Sequence, residues 1–573
     1  MFKQTALTSV DSYKLGHADQ YPAGTTKVYS NFTPRSEYHF NVPDRYKDGH
    51  ITWFGLQGFL QEMKYIWNET FFFHNLEDAI AEIEEIYAPF CGPNGFDTSR
   101  LKALHKLGYL PLEIKALPEG SRIPIGVPCL TITNTLPEFF WLPNFMETWL
   151  STELWKSTTS ASTSYVYRKI INRYAELTGG SKEFIDWQGH DFSMRGMSGV
   201  QDAAKSGAGH LLSFTGTDNI AAVKYIRDAY QGKNTFIGGS VPATEHSVMC
   251  AGGKESEIET FRRLLKTYPS GVVSIVSDTW DFWNVITNTA RELKEEILAR
   301  TPDQFGLAKT VFRPDSGDPV LIICGERFPD MTKAGTLQYA GAWMREKLVE
   351  AEAEEAGHGE CGNSEVSGIM RYAGEHYEVK VSIEWNRYDK QYYFVDGSNV
   401  TSIDKVELTP AEKGAVECLA EIFGTTTNDK GYKTLNSKVG LIYGDSITPA
   451  RAEEILMRLQ EKGYASDNIV FGIGSYTFQY TTRDSLGFAM KATYVEIDGV
   501  GQAIFKDPKT DSGTKKSAKG LLRVDKVDGE YVLTSDVSIE EEMSGELKTV
   551  FLNGYLFRNE SIETIRNRVK ESM

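Results

Sequence analysis

The chain has 573 residues, of which 41% are hydrophobic and 24% are charged, and its formal net charge is −17. This length predicts two or three domains with ample cores, and the composition is ordinary for a folded globular protein. The negative charge argues against a nucleic-acid-binding protein, because phosphate backbones bind to basic surfaces. A small basic pocket for a phosphorylated metabolite remains compatible with it.

The N-terminal sequence and the cysteine spacing predict a cytoplasmic protein without a membrane helix. No apolar run reaches the roughly 18 residues that a membrane helix needs, and the first residues lack the apolar core of a signal peptide. The six cysteines have no Cys-x-x-Cys spacing, so we expect reduced thiols and no disulfide framework or zinc site. They are Cys91, Cys129, Cys250, Cys324, Cys361 and Cys418. We interpret His358–Cys361, a His/Glu/Cys cluster without a second ligand pair, as a loop.

Both ends of the chain mix helical and extended patterns. In the first 181 residues Leu110–Ala116 and Cys129–Thr133 alternate like strands, and Phe139–Trp155 and Ser157–Leu177 are helix-like. After residue 484 the predicted elements are the strands Ala489–Ile497, Ala503–Phe505, Leu521–Val524 and Tyr531–Leu533, and a final helix from Ser561. We expect residues 1–181 and 485–573 to form one α+β domain.

Residues 182–484 repeat a different pattern, in which an apolar run leads into a polar cluster and then into a helix-compatible stretch such as Pro449–Lys462. The runs include Val272–Val276, Thr310–Phe312, Val439–Tyr443 and Asn468–Phe471, and the six clusters begin at Gly189, Ser240, Ser277, Arg313, Gly444 and Gly472. One such cluster fits a turn or a helix N-cap. Six in succession predict an α/β barrel with its chemistry at the C-terminal ends of the strands.

Residues from about 322 to 410 interrupt this pattern. Trp343–Glu355 predicts a charged helix, and His376–Trp385 with Gln391–Val395 predicts a hairpin. We interpret the segment as an insertion in the barrel, and as a surface elaboration in preference to a regulatory module.

The polar clusters carry groups that suit a phosphorylated sugar. The N–H groups of Gly472–Ser475 can cradle a phosphate, and Arg483 and several lysines follow in an otherwise acidic chain. Arg313 and Asp315 flank a proline and can hold an acceptor together with a sugar hydroxyl or a metal ion. Several carboxylates near a phosphate site suggest Mg²⁺ bound partly through substrate phosphates. Each of these side chains also has an ordinary structural interpretation as a cap, a solvated charge or a turn.

Together these segments resemble the nicotinamide phosphoribosyltransferase family, a type II phosphoribosyltransferase family. The resemblance covers most of the chain outside 322–410. Its segments are Thr8–Lys14, Gln20–Pro22, Lys27–Ser30, Phe54–Gln57, Leu112–Ala116, His190–Gly196, Gly216–Asp218, Ser240–Ser247, Val276–Asp278, Arg313–Pro319, Gly444-Asp445, Thr482–Asp484 and Phe505–Pro508. It implies an irregular α/β barrel plus a domain from both chain ends, and a homodimer with shared active sites. The implied reaction joins nicotinamide to phosphoribosyl pyrophosphate with Mg²⁺ and gives nicotinamide mononucleotide and pyrophosphate for NAD salvage. Coupling to ATP through a phosphohistidine is optional.

The resemblance also implies roles for single residues. Nicotinamide would stack between Phe192 and Tyr13 of the partner subunit, while Asp218 and Arg313 hold its amide and its ring. His246 would be the phosphorylated residue, supported by Glu245 and Asp278. The ribose, metal and phosphate contacts would come from Asp315, Asp278, Gly444, Asp445, Gly474, Ser475, Arg35, Arg195, Arg483, Lys491 and Lys506, with Asp315 and Asp278 as the metal ligands.

Three positions depart from the family pattern: Tyr476 follows Gly474-Ser475 in the phosphate loop, Ala489 replaces an expected serine, and Met194 replaces an aromatic residue. Two alternatives remain at this stage. One is a nicotinate phosphoribosyltransferase, and the other is an inactive barrel that binds NAD metabolites. The intact His246 and Arg313 count against the inactive barrel.

Overall fold

The structure is a computed structural model that describes residues 3–91, 97–329, 363–386, 391–394, 400–444, 446–505 and 518–573. Asp445, Lys506, the predicted helix Trp343–Glu355 and the cluster His358–Cys361 lie outside these ranges. The described part contains two large sheets. We call the parallel one the barrel sheet and the antiparallel one the terminal sheet.

The barrel sheet contains six parallel strands, and four of them are the apolar runs quoted above, with ends shifted by at most two residues. In spatial order the strands are Gly216–Thr217, Gly189–Asp191, Val470–Ile473, Val439–Tyr443, Ala308–Arg313 and Gly271–Val276. Five of the six polar clusters lie at the C-terminal ends of these strands, and the sixth, which begins at Ser240, lies in the segment between the two edge strands. Because all six strands point the same way, the clusters share one edge of the sheet.

The segment 239–244 closes the sheet into a barrel. Gly239 pairs with Gly216 at one edge, and Ala243 pairs with Ser274 at the other edge, both in parallel. These are isolated bridges and not a continuous strand, so the barrel is irregular at this point. The predicted irregular α/β barrel is confirmed.

The terminal sheet interleaves strands from both ends of the chain. Its antiparallel order is Val500–Ala503, Ala489–Ile497, Thr25–Thr33, Leu130–Asn134, Leu112–Ala116, Lys548–Leu552 and Tyr555–Leu556. The predicted α+β assembly of the two ends is therefore confirmed, while the domain limits at 181 and 484 stay a prediction. The predicted bounds of the strand Ala503–Phe505 are wrong, because the structure has the strand at Val500–Ala503. Asp498 and Gly499 turn the chain with positive φ, and the strand begins directly after them.

The helix-like stretches Phe139–Trp155 and Ser157–Leu177 form one continuous helix, Leu142–Thr178, which ends with Gly179 at its C-cap. Its buried run Ser157–Ser164 is polar, yet hydroxyls in it donate to carbonyls four residues earlier, as Ser162 does to Thr158 at 2.8 Å. The polar side chains are thereby satisfied inside the core. The helix packs against Val200–His210 and Pro449–Glu461, so it joins the terminal sheet to the barrel.

The remaining strands form small sheets. In the inserted segment, Glu375–Asn386 pairs with Asn363–Tyr372, Gln391–Phe394 and Val400–Lys405, which confirms the predicted hairpin. The two-stranded sheets are His50–Thr52 with Arg122–Pro124, Thr425–Thr427 with Lys433–Leu435, and Leu521–Val527 with Glu530–Val537. The other α-helices are His17–Gln20, Leu56–Trp67, Leu76–Cys91, Ser99–Leu107, Ile185–Gln188, Ile220–Ala229, His246–Cys250, Glu257–Thr267, Phe282–Asn284, Ala290–Glu292, Lys294–Leu298, Pro319–Cys324, Pro410–Lys413, Ala415–Phe423, Ser475–Gln479, Ile539–Ser544 and Ile562–Glu571.

Candidate active site

Phe192 lies directly against the ends of two barrel strands. Its N–H donates to the carbonyl of Ile473 at 3.0 Å. A Cβ atom on Gly472 would come within 2.6 Å of the Phe192 ring, and one on Gly444 would collide with the carboxylate of Asp315. These two glycines allow the aromatic ring and the carboxylate to approach the backbone closely. The ring and Asp315 therefore belong to one compact group.

The guanidinium of Arg313 completes this group. Arg313 is buried, and its guanidinium carbon lies 5.9 Å from the centroid of the Phe192 ring. Its Nη2 donates to the carbonyl of Thr244 at 2.6 Å, and its Nε lies 3.7 Å from Oδ1 of Asp315. A cation next to an aromatic ring and a carboxylate can bind a flat heterocycle that has a polar edge.

Asp218 is held by two donors. Its Oδ1 lies 2.8 Å from Nε2 of His190 and also accepts a hydrogen bond from Oγ of Ser240. Burial acts to raise the pKa of Asp218, but the hydrogen bonds from His190 and Ser240 and the charge of Arg313 outweigh burial and lower the pKa. The carboxylate is therefore ionised at neutral pH.

Sequence reasoning gave His190 and Ser240 no role of their own. His190 reaches Asp218 through the parallel register that places it opposite Gly216, two residues before Asp218, and the local sequence gives no signal of this register. The ring centroid of His190 lies 4.8 Å from that of Phe192. His190 therefore contacts both the predicted stacking residue and the predicted amide acceptor.

Asp278 links two other predicted site residues. Its side chain is 4% exposed, and its Oδ2 accepts hydrogen bonds from the N–H of Asp315 at 2.9 Å and from Oγ of Ser316 at 2.6 Å. Its Oδ1 lies 3.3 Å from Nε2 of His246. One buried carboxylate thus fixes the turn that carries Asp315 and faces the predicted phosphate acceptor.

His246 begins the short helix His246–Cys250, and its side chain is 51% exposed. Glu245 occupies the N-cap position, and its carboxylate accepts a hydrogen bond from the hydroxyl of Ser247. The imidazole therefore faces Asp278 on one side and is open to solvent, a geometry in which it can meet a phosphoryl donor.

The predicted 5′-phosphate residues lie at the neighbouring strand ends. A Cβ atom on Gly474 would meet no atom within 4 Å, so its backbone borders open space. Gly196 packs so closely on Ser475 that a Cβ there would collide with the hydroxyl of Ser475. Arg195, which is exposed, therefore lies next to the turn that carries Ser475.

Three side chains predicted to bind phosphate lie near the connection between the last polar cluster and the terminal sheet. They are Arg35, Arg483 and Lys491. Nε of Arg35 donates to the carbonyl of Gly487 at 3.0 Å. Lys491 pairs with Asn31 on the strand that ends just before Arg35. Arg483, which is exposed, lies at the start of the same connection.

Tyr13 lies in the 3₁₀ turn Ser12–Gly16 and is 60% exposed. Its ring centroid is 5.5 Å from that of His17. Its stacking on nicotinamide in the partner subunit stays a prediction, and its exposure leaves the ring accessible to another chain.

Asp315 and Asp278 are the carboxylates predicted to bind Mg²⁺. Within the described ranges no group of three or more His, Cys, Asp or Glu side chains could hold a metal ion. Mg²⁺ bound through substrate phosphates and water needs only one or two protein carboxylates. Asp315 fits that requirement, whereas Oδ2 of Asp278 already accepts two hydrogen bonds and its Oδ1 faces His246.

Comparison with known proteins identifies the family. Residues 187–555 match the nicotinate phosphoribosyltransferase (NAPRTase) family, and residues 5–114 match the N-terminal domain of nicotinamide phosphoribosyltransferase. Among the described residues no helix is long and apolar enough to cross a membrane.

Two bacterial relatives align over nearly their whole length. A nicotinamide phosphoribosyltransferase of Acinetobacter baylyi is 46% identical over 574 residues, which cover 100% of this chain and 98% of the relative. That of Mycoplasma pneumoniae is 30% identical over 549 residues, 90% of this chain and 94% of the relative. The crystal structure of human nicotinic acid phosphoribosyltransferase aligns over 98% of this chain and 93% of the human chain, with 14% identity and a TM-score of 0.47. From its sequence matches, the chain belongs to the nicotinate phosphoribosyltransferase family of pentosyltransferases.

Proposed function

We propose that the chain is a nicotinamide phosphoribosyltransferase of NAD salvage. It transfers the phosphoribosyl group of phosphoribosyl pyrophosphate to nicotinamide and releases pyrophosphate. The observation that carries this assignment is the group formed by Phe192, Arg313 and Asp218, an aromatic ring beside a buried cation and an ionised carboxylate. Full-length similarity to nicotinamide phosphoribosyltransferases supports it.

The base pocket explains recognition of an amide. Nicotinamide would lie on the ring of Phe192, with Arg313 at the polar edge of the ring. Asp218 would accept an amide N–H, and its position is held by His190. Nicotinic acid would bring a second carboxylate to the same place, which costs free energy in a partly desolvated pocket. The pocket should therefore prefer the amide.

The reaction breaks the bond between C1′ and the pyrophosphate oxygen and forms a bond between C1′ and the pyridine nitrogen. Positive charge grows on the ribose ring in the transition state, and a carboxylate placed nearby stabilises it. Asp315, fixed by the backbone hydrogen bond to Asp278, would take that role and bind the ribose hydroxyls. When bound at Asp315, Mg²⁺ would supply charge neutralisation for the departing pyrophosphate.

The phosphates would bind at the remaining cluster ends. Gly474 and Ser475 would hold the 5′-phosphate, with Arg195 beside them. Arg35, Arg483 and Lys491, together with Lys506 outside the described residues, would hold pyrophosphate. Gly444 and Asp445 would contact the ribose.

ATP coupling would use His246. The carboxylate of Asp278 faces Nε2 at 3.3 Å, which favours the tautomer with its proton on Nε2 and leaves Nδ1 as the nucleophile. Nδ1 would form a bond to the γ-phosphorus of ATP as the bond to ADP breaks. Glu245 would shape the helix start on which His246 lies.

A homodimer with shared active sites and a cytoplasmic location complete the proposal. Tyr13 is exposed in a single chain, as stacking in a partner's site requires. The described cysteines Cys129, Cys250, Cys324 and Cys418 are free thiols, which suits a reducing compartment.

The test is to assay the purified protein with phosphoribosyl pyrophosphate and Mg²⁺, supplying either nicotinamide or nicotinic acid, and to measure the mononucleotide and pyrophosphate. We expect nicotinamide to be preferred by about a hundredfold in kcat/KM, which corresponds to ~3 kcal/mol. A preference for nicotinic acid would support the nicotinate enzyme. Absence of product from both bases would refute phosphoribosyl transfer.

A further inference from the structure

The segment that closes the barrel contains a break in its hydrogen-bond ladder. The N–H of Thr244 donates to the carbonyl of Ser274 at 3.0 Å, and the N–H of Ser274 donates to the carbonyl of Pro242 at 2.9 Å. A regular parallel ladder would continue with a bond from the N–H of Val276 to the carbonyl of Thr244.

The side chain of Thr244 replaces its own carbonyl in that ladder. The N–H of Val276 donates to Oγ1 of Thr244 at 2.9 Å. The carbonyl of Thr244 instead accepts Nη2 of Arg313 at 2.6 Å. Thr244 is buried, so each of these polar groups needs a partner within the protein. The hydroxyl accepts the N–H of Val276, so the carbonyl is left to the guanidinium.

This arrangement sets where the guanidinium lies. The bond to Thr244 holds Nη2 of Arg313 while the guanidinium carbon stays 5.9 Å from the ring of Phe192. Without the hydroxyl, the N–H of Val276 would turn to the carbonyl of Thr244, its partner in a regular ladder. That oxygen can accept both donors, but it would have to turn toward the N–H of Val276 to do so. The guanidinium would then shift away from the position that it needs at the pyridine ring.

We propose that Thr244 is a positioning residue for Arg313, acting through its hydroxyl on the backbone of Val276, and that it thereby sets the affinity for the pyridine base. This inference rests on the proposed function, since the ligand that Arg313 meets is taken to be nicotinamide. Thr244 itself has no role in the chemistry of transfer.

The test compares Thr244→Val, which keeps the shape and removes the hydroxyl, with the matched control Thr244→Ser, which keeps the hydroxyl. We expect Thr244→Val to raise KM for nicotinamide about tenfold, or ~1.4 kcal/mol, the usual size of one hydrogen bond. KM for phosphoribosyl pyrophosphate and kcat should change less than about twofold. Thr244→Ser should match the wild type, and Thr244→Ala carries the expectation of the valine variant if the latter does not fold.

A double-mutant cycle identifies the route of the effect. In an Arg313→Gln background, Thr244→Val should not raise KM for nicotinamide further. Three results overturn the inference. They are an unchanged KM for nicotinamide in Thr244→Val, a raised KM for nicotinamide in Thr244→Ser, and the same tenfold rise from Thr244→Val in the Arg313→Gln background. Equal losses for both substrates together with a lower Tm would also overturn it, because they indicate a purely structural role.

Failure of the proposed function gives a different result. A wild-type protein that makes no mononucleotide would refute the proposed function. The inference on Thr244 would then be tested by the Kd for nicotinamide, measured by calorimetry for the wild type and the Thr244 variants. A wild-type protein that neither reacts with nor binds nicotinamide would overturn both proposals.

Discussion

Replacing Asp278 should separate two roles of one buried carboxylate. Asp278→Ala removes the acceptor for the N–H of Asp315 and the hydroxyl of Ser316, and also the charge that faces His246. Hydrogen bonds to a charged group contribute about 1.5–3 kcal/mol each, so the two together contribute roughly 3–6 kcal/mol. If half of that loss appears as misplacement of Asp315, kcat falls by about tenfold to a hundredfold. The rest appears as a lower Tm.

Asp278→Asn keeps an oxygen for the two donors but removes the charge opposite His246. We expect it to retain basal synthesis within about tenfold, since a lost neutral-for-charged bond costs roughly 1 kcal/mol, and to lose ATP stimulation. The assay is mononucleotide formation with and without ATP, together with thermal unfolding and acid-labile phosphate on the protein. Asp281→Asn is the matched control in the same cluster, because Asp281 caps the helix Phe282–Asn284 and asparagine caps as well.

Two results would refute this reasoning about Asp278. One is an Asp278→Ala protein with normal turnover and normal Tm. The other is an Asp278→Asn protein in which ATP stimulates synthesis as it does in the wild type.

Four further predictions follow from the same geometry. Asp315→Ala should lower kcat at least ~100-fold, the scale of a lost electrostatic group, with Asp44→Ala on the surface as control; near-normal turnover would remove Asp315 from catalysis. His246→Ala should keep slow synthesis but lose ATP stimulation, and continued stimulation would exclude the phosphohistidine. Asp218→Asn should narrow the preference for nicotinamide over nicotinic acid, and an unchanged kcat/KM ratio would show that Asp218 does not set it. Burial raises the pKa of Glu119 from 4.5 to about 7, against hydrogen bonds from Gly55, Gln57 and Tyr230. Between pH ~4.5 and ~7, Glu119 holds a proton in the folded state but not in the unfolded state. Protonation of Glu119 therefore stabilises the fold fully below pH ~4.5, and this stabilisation is lost as pH rises through ~7. Denaturant titrations should show this fall in the wild type and its absence in Glu119→Gln; equal pH profiles would contradict the assignment.

Four of the six barrel strands were predictable because each is an apolar run that leads into a polar cluster. Val439–Tyr443 agrees with its prediction at both ends. Closure of the barrel was not predictable in detail, since Gly216–Thr217 has two residues and the segment 239–244 pairs through single bridges. Elements this short have no hydrophobic period. Their pairing is dictated by the long strands on either side.

The candidate site was predictable to the extent that its residues follow strand ends. Phe192, Arg313 and Asp315 come together because parallel strands end at one edge. The contact between His190 and Asp218 depends on register between two strands, which local sequence does not encode. The bonds of Thr244 were not predictable either, because only the folded backbone decides which donor its hydroxyl and its carbonyl each accept.

The order of the terminal sheet has a consequence for synthesis on the ribosome. Thr25–Thr33 lies in the interior of the sheet, and one of its two neighbours is Ala489–Ile497. At about 5–20 residues per second, the ribosome needs roughly 20–90 s to make the ~450 residues between these strands. Throughout that interval the early strand has an open edge that can pair with another nascent chain. Chaperone demand during translation should therefore be set by the interval before residue 497 emerges, and slow translation should lower the soluble yield.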